Sequence, residues 1–349
     1  MRNKMKDMVA KVGIPRLVII TFFIVLCVAA IVLKLPILMV FSDILVRFGM
    51  NGVLVLAMVP SVLCGVGLNF GLSIGVLAGL LAGLISIELN LRGFPAFAVA
   101  ILLAIPLGAF VGYLYGKLLN KVKGSEMMIG TYAGFSIVSL LCIGWLLFPF
   151  NSPEIKWPIG QGLRTTITLD GHYSKILDDI FRIEIGQLVI PTGLLIFLGI
   201  CCALVWLFLR SKTGMMMVAA GSNPKFAKAS AINTDKMRIL GTTLSTVLGA
   251  VGIVVYSQSY GFYQLYQAPM MMPMGAVAAI LIGGASTNKA QIKHVLIGTF
   301  LFQGLLAIGL PVANAIITEG NLSEVLRIII SNGIILYALT KASGGESRA

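Results

Sequence analysis

The amino-acid sequence predicts an all-α, polytopic membrane protein of about ten transmembrane helices, both termini cytoplasmic, with residues 1–349 forming a single transmembrane domain. Three observations predict it. Of the 349 residues, 58% are hydrophobic and only 11% are charged, whereas a soluble surface needs about 25% charged residues to meet water. The apolar residues fall into runs close to the roughly 20 residues that cross a bilayer. Basic residues gather in alternate loops: 18 basic and 4 acidic residues share the side of the termini, against 8 basic and 9 acidic on the other. By the positive-inside rule the termini face the cytoplasm. The net charge of +13 is then a consequence of topology and of contact with membrane lipid, and it asks for no nucleic-acid partner.

The elements follow in order. A basic opening, MRNKMKDMVAKVGIPR, precedes an apolar run from Leu17 to Leu33. This run continues past any signal cleavage site, and Cys27 follows Leu26 rather than a small residue, so it reads as a first span. Further spans are expected over Phe48–Val66, Leu72–Ile87, Phe94–Gly116, Met127–Phe148, Leu188–Leu209, Ile239–Tyr256, Met270–Gly284, Val295–Ile317 and Val325–Thr340. The five cysteines, Cys27, Cys64, Cys142, Cys201 and Cys202, all lie inside apolar runs and read as small hydrophobes. Two histidines and thirteen acids supply few metal or acid–base sites, which excludes a soluble enzyme. No metal site is expected, and no catalytic residue.

Two loops exceed plain connectors. The outer one, residues 149–187, carries Trp157, prolines and an amphipathic stretch around Ile176, Ile180, Phe181 and Ile183, and reads as a lid or docking surface along the outer membrane face. The inner one, residues 210–238, has a Gly-Ser-Asn-Pro turn signal followed by Phe226, Ala229 and Ile232 at helical spacing. It reads as a short helix beneath the membrane, available to a partner.

Within the spans, Asn69 stands in a glycine series, Gly65, Gly67, Gly71 and Gly75, followed by Ser73. An interrupted helix is tolerated only where its backbone is buried in protein or lines a cavity, so Asn69, Gly71 and Ser73 are candidates for a translocation pathway; close helix packing is the alternative for the glycines, and an interhelical hydrogen bond for Asn69. Glu126 precedes a span and suits the first turn of a helix, where its carboxylate meets free N–H groups. Thr131 and Tyr132 offer hydroxyls either to a sugar or to neighbouring helices. The run SQSYGFYQLYQ, with Gln258 and Tyr260, suits a neutral polyhydroxy or aromatic solute or, alternatively, an interfacial aromatic belt. Met270 to Met274, broken only by Pro273, reads as adaptable packing.

The pattern GSNPKFAKASAIN, Gly221 to Asn233, resembles the "G-x-N-x-x-A-A-x-x-x-G-I" segment of bacterial ABC importer permeases that handle simple sugars, nucleosides and branched-chain amino acids. Three further segments resemble the same family in the same order: VLCGVGLNFGLSIGVLAGLLAG from Val62, GAVAAILIGGAS at Gly275–Ser286, and VLRIIISNGIILYAL in the last span. The departures are Phe226 at the first Ala, Ala231 at the Gly before Ile232, and TNKAQIK at Thr287–Lys293 in place of a Gly-rich turn. The resemblance implies a ribose-permease-like subunit in the bacterial cytoplasmic (inner) membrane. It implies ABC ATPase subunits as partners, a second permease, identical or sister, and an extracytoplasmic solute-binding protein. Gly221, Asn223, Pro224, Phe226, Ala227, Ala229 and Ile232 would then form the coupling segment that an ATPase receives.

The chain carries no GxxxxGK[ST] phosphate loop, so ATP and Mg are expected on the partner ATPase and no cofactor on this chain. The expected solute is small, polar and neutral, a monosaccharide first and a nucleoside as the alternative. A reading of another class is a secondary transporter without an ATPase. Proton- or sodium-coupled carriers place ionisable groups inside their spans, and these spans are nearly empty of them.

Overall fold

The computed structural model describes residues 14–157 and 162–316, together with residues 328, 329, 332, 333, 335 and 336. The expected last span, Val325–Thr340, lies outside the described residues apart from those six positions. The elements are α1 (Ile14–Val32), α2 (Ile37–Leu56), α3 (Met58–Leu63), α4 (Leu72–Glu88), α5 (Gly93–Lys121), α6 (Glu126–Leu147), β1 (Thr166–Thr168), α7 (Ile176–Asp179), β2 (Ile183–Ile185), β3 (Leu188–Ile190), α8 (Thr192–Arg210), α9 (Lys212–Ser222), α10 (Pro224–Ala229), α11 (Thr234–Tyr260), β4 (Phe262–Gln264), α12 (Gln267–Ile282) and α13 (Ile292–Ile316). Among the described residues six helices are long and apolar enough to cross a membrane, with α2 and α3 counted as one, and three shorter apolar helices accompany them at Leu17–Val32, Leu72–Glu88 and Gln267–Ile282. The protein is a polytopic helical membrane protein.

The expected spans are corrected at several ends. The second begins at Ile37 rather than Phe48. Asp43 and Arg47 lie inside it because they pair one turn apart at 2.8 Å and spare the helix two isolated charges. Leu188–Ile190 is a strand rather than the start of a span, which begins at Thr192. Ser257 to Tyr260 complete α11 instead of leaving it. The all-α expectation is corrected by four three-residue strands: β1 pairs antiparallel with β4, and β2 with β3. The amphipathic stretch from Ile176 likewise forms a single short turn of helix and then a hairpin, because Phe181 adopts a left-handed φ of 52° and ends the helix.

The centre of the molecule is α11 packed against α4 and α5. Small residues make that approach possible. A Cβ added at Gly75 would lie 2.4 Å from the Thr246 carbonyl oxygen, and one at Gly79 2.2 Å from that of Ala250. Along α5, Gly108, Gly112 and Gly116 recur every fourth residue and meet Val247, Thr243 and Ile239 of α11 in the same manner. Without a hydrophobic drive between helices in lipid, such contact supplies the dispersion energy that holds them together. By contrast, α6 is the least enclosed of the long helices, with 17% of its apolar window buried.

Candidate functional site

Three places gather the polar side chains of the spans and loops. The first is the break between α3 and α4, where Gly65 and Gly67 take left-handed φ values of 80° and 89°. Ser61 closes this turn by donating its hydroxyl to the Gly67 carbonyl at 2.8 Å. Asn69 sits buried just beyond. Its amide nitrogen donates to Ser245 Oγ of α11 at 2.8 Å, and its Oδ1 accepts the Tyr115 hydroxyl of α5 at 3.2 Å. Gly71 lets Tyr115 approach, since a Cβ there would fall 2.2 Å from its hydroxyl. Ser73 is buried and faces Gly134 of α6. Thr131 spends its hydroxyl on the Met127 carbonyl at 2.9 Å, and Tyr132 projects outward, 64% exposed.

The second place is the face bearing residues 149–187. Gln258 is fully buried there; its Oε1 accepts the Leu177 N–H at 3.1 Å and its backbone carbonyl accepts that of Lys175 at 2.7 Å. Its neighbour Ser259 donates to Asp178 at 3.0 Å. Burial pushes the Asp178 carboxyl above its usual range, opposed in part by that hydroxyl. Tyr173 and Tyr263 share a hydroxyl–hydroxyl bond of 2.6 Å with both rings buried, and burial raises both phenols well above their ordinary value. His172 bonds the Leu91 carbonyl at 2.8 Å and the Glu154 carboxylate. Glu88, the last residue of α4, accepts the Asn151 and Ser152 N–H groups at 2.8 and 3.0 Å. Tyr260 is half-exposed and lies between Tyr256 and Phe262, 5.2 and 4.4 Å away between ring centroids.

The residues selected for a pathway therefore fall into two groups. Asn69, Gly71 and Ser73 meet α5, α6 and α11 at one level, with Thr131 nearby on α6. Gln258 and Tyr260 lie thirteen or more residues further along α11 than Ser245, about 20 Å at 1.5 Å per residue. Tyr115 and Ser245 complete the first group and were not singled out from the sequence. A buried Asn required a partner, but nothing in the chain indicates which residue 46 or 176 positions away provides it.

The third place is the opposite, basic face, where α9 and α10 join α8 to α11. Asn223 caps α10 by accepting the Phe226 N–H on its Oδ1 at 3.0 Å, and Pro224 fills the first position, where its missing N–H costs nothing. Gly221 and Ser222 belong to the end of α9. The helix ends with the Ile232 N–H bonding the Ala227 carbonyl at 2.9 Å and the Ala231 N–H that of Lys228 at 3.1 Å, the double bond of a Schellman motif. Ala231 holds its left-handed position at φ 59°. Ala227 turns inward and is fully buried, while Phe226 is 63% exposed and Ala229 is exposed beside it. Ile232 is half-buried.

A family model described as "Branched-chain amino acid transport system / permease component" matches residues 19–339. The chain belongs to this family of ABC importer permeases. It is similar to the "Xylose/arabinose import permease protein XylH" of Sulfolobus acidocaldarius, 26% identical over 62% of this chain and 53% of that one. The "Galactofuranose transporter permease protein YtfT" of Escherichia coli is 24% identical over 63% of this chain and 58% of its own. A "Tyrosine transport system permease protein" of Clostridioides difficile is 27% identical over 69% and 72%. The chain thus spans little more than half the length of the first two relatives. No solved structure matches it. As a permease component it is a multi-pass protein of the cytoplasmic (inner) membrane and is not itself the ATPase of the family.

Proposed function

We propose that the chain is the membrane-spanning subunit of an ABC importer for a small, polar, neutral solute, a monosaccharide in the first instance. In this reading ten spans place both termini and the basic face in the cytoplasm and residues 149–187 outside. A second permease, identical or sister, completes a central pathway to which Asn69, Gly71, Ser73, Thr131, Tyr132, Gln258 and Tyr260 contribute directly or by position. An extracytoplasmic binding protein delivers the solute, and ATP with Mg is hydrolysed on ABC ATPase subunits below.

One observation carries this reading: α10 turns Ala227 inward and leaves Phe226 and Ala229 exposed, side by side, on a helix fixed at its start by Asn223 and at its end by the Ala231 turn. A rigid apolar ridge on a basic face suits a shallow groove in an ATPase, as the coupling role of Gly221 to Ile232 requires. Two cavities among the described residues are lined almost wholly by apolar side chains, one around Leu77, Val111 and Ile137 with Tyr115 at its wall and one around Phe23, Val40 and Phe300, and both suit an apolar occupant better than a polar solute.

The test is reconstitution of the chain with an ABC ATPase and a solute-binding protein of its own cell, with ATP hydrolysis followed as sugars, nucleosides and tyrosine are added in turn. Stimulation by a monosaccharide is expected. Stimulation by a nucleoside alone would select the alternative solute class, and tyrosine would align the chain with its Clostridioides relative. Solute uptake without any ATPase would replace the reading with a secondary transporter. Ala229→Trp should overfill the receiving groove and abolish ATPase recruitment while the permease still inserts; retained recruitment and stimulated turnover would remove α10 from the coupling role.

A further inference from the structure

The basic face contains a junction that none of the roles above uses. Arg238, in the second turn of α11, is 14% exposed and reaches three elements at once. Its Nη1 donates to the Gly65 carbonyl in the break after α3 at 2.9 Å, its Nε to Asn120 Oδ1 at the end of α5 at 3.0 Å, and its Nη2 to Glu126 Oε1 at the start of α6 at 2.5 Å. Glu126 is 13% exposed, and its second oxygen accepts the Gly124 N–H at 2.8 Å. Asn120 in turn donates to the Asp235 carbonyl at 2.9 Å, and Asp235 pairs with Lys123 at 2.5 Å. Every arm of the guanidinium is therefore engaged. On the other side of the same break stands the end of α9: a Cβ on Gly65 would meet Gly221 Cα at 2.9 Å, and one on Gly221 would meet the Leu63 carbonyl oxygen at 2.1 Å. Two residues later Asn223 caps α10.

Resting on the importer reading, we propose that Arg238 is the positioning residue through which movement of α10 reaches α6. The chain of contact runs from α10 through Gly221 to the Gly65 break, from the Gly65 carbonyl to Arg238, and from Arg238 to Glu126. The receiving helix is the one with least packing to resist, since α6 is the least enclosed long helix. A mostly buried ion pair gains little over apolar packing, while losing one partner strands the other charge; its geometry therefore registers a small displacement of the break as a change in how α6 is held. Only arginine presents separate donors in a rigid plane to three acceptors, whereas lysine offers a single point of charge.

The experiment uses the complex reconstituted with ATPase and binding protein. Arg238→Lys keeps the charge beside Glu126 but cannot span Gly65 and Asn120. The variant should recruit the ATPase as wild type does, with α10 untouched, yet lose at least tenfold of the solute-stimulated increase in ATP hydrolysis and of uptake. Glu126→Gln, which keeps the side-chain shape and removes the charge, should shift stimulation in the same direction, and the two changes together should cost no more than the larger alone. Wild-type stimulation in either variant would overturn the junction, as would loss of assembly in both, which would mark the bonds as purely structural. Failure of the importer reading looks different: the wild-type complex would then show no ATPase recruitment or stimulation at all.

Discussion

The two faces of the molecule handle their loops in opposite ways. On the face of residues 149–187, polar groups are committed inward: Gln258, Ser259, Tyr263 and Glu88 at the ends of spans or just beyond them hold Leu177, Asp178, Tyr173 and the Asn151–Ser152 backbone. On the basic face, α10 satisfies its own ends through Asn223 and the Ala231 turn and leaves its outer side uncovered. The first arrangement fastens a loop to its own chain. The second makes a helix whose inner side is buried at Ala227 and whose outer side stands without tertiary cover. The loop of residues 149–187 is thus tied by several bonds at once, whereas α10 is held by its caps, by buried Ala227 and by the close contact of Gly221 with Leu63 and Gly65.

If that contrast is right, the largest loss of stability should come from the face of residues 149–187. Gln258→Leu removes the acceptor of the buried Leu177 N–H and leaves that group unsatisfied, at a cost of about 1–3 kcal/mol. The loop from residue 149 should become sensitive to protease before the spans unfold; unchanged protease resistance would show that its remaining ties, the β1–β4 pairing and the Tyr173–Tyr263 and Glu88 bonds, hold it without the Gln258 side chain. Asn69→Leu should follow at about 1 kcal/mol, typical of interhelical hydrogen bonds in membranes, read as reduced detergent stability. Transport lost without any loss of stability would instead place its amide on the pathway.

Substitutions in α10 should divide stability from coupling. Ala229→Trp lies on an exposed position, so the melting of the isolated chain should shift by no more than about 0.5 kcal/mol, although coupling is lost. Asn223→Ala removes the cap and should cost about 1 kcal/mol of local helix stability. Hydrogen exchange at Phe226 and Ala227 should accelerate, with the face of residues 149–187 unchanged.

The six helices long and apolar enough to cross a membrane among the described residues were legible because an apolar run of near twenty residues has few other fates. Their limits were less so where charges enter a helix already paired, as Asp43 and Arg47 do. The strands were not legible: three residues carry no usable alternation, and β1 meets β4 across almost one hundred positions. In the segment Gly221 to Asn233 the Asn223 cap and the Pro224 start were legible, since capping depends on neighbours in sequence, but the helix ends at Ala229 and the left-handed Ala231 takes Ile232 off the expected helical stripe. The Arg238 junction was not. Glu126 is explained by its place ahead of a helix and Arg238 by topology, and both readings are locally sufficient; only the crossing of α5, α6 and α11 brings them to 2.5 Å.

An effect on stability alone, with coupling preserved, is expected at the departure Ala231, where the family pattern has glycine. The residue occupies the left-handed position that ends α10, with φ 59°, and a side chain in that region costs about 1–2 kcal/mol because Cβ crowds the following carbonyl. Ala231→Gly removes that strain but gives the unfolded chain more freedom, about 0.5–1 kcal/mol in the other direction. The net gain should lie between about 0 and 1.5 kcal/mol and be confined to α10. It should slow exchange at the Ala231 and Ile232 N–H groups, which close the helix onto Lys228 and Ala227, and leave exchange at the Phe226 N–H, governed by Asn223, less affected. Coupling should be preserved, because the exposed side of Phe226 and Ala229 is unaltered. Faster exchange at Ala231 and Ile232 would mean that alanine's lower freedom outweighs its strain, and that the departure itself stabilises the turn.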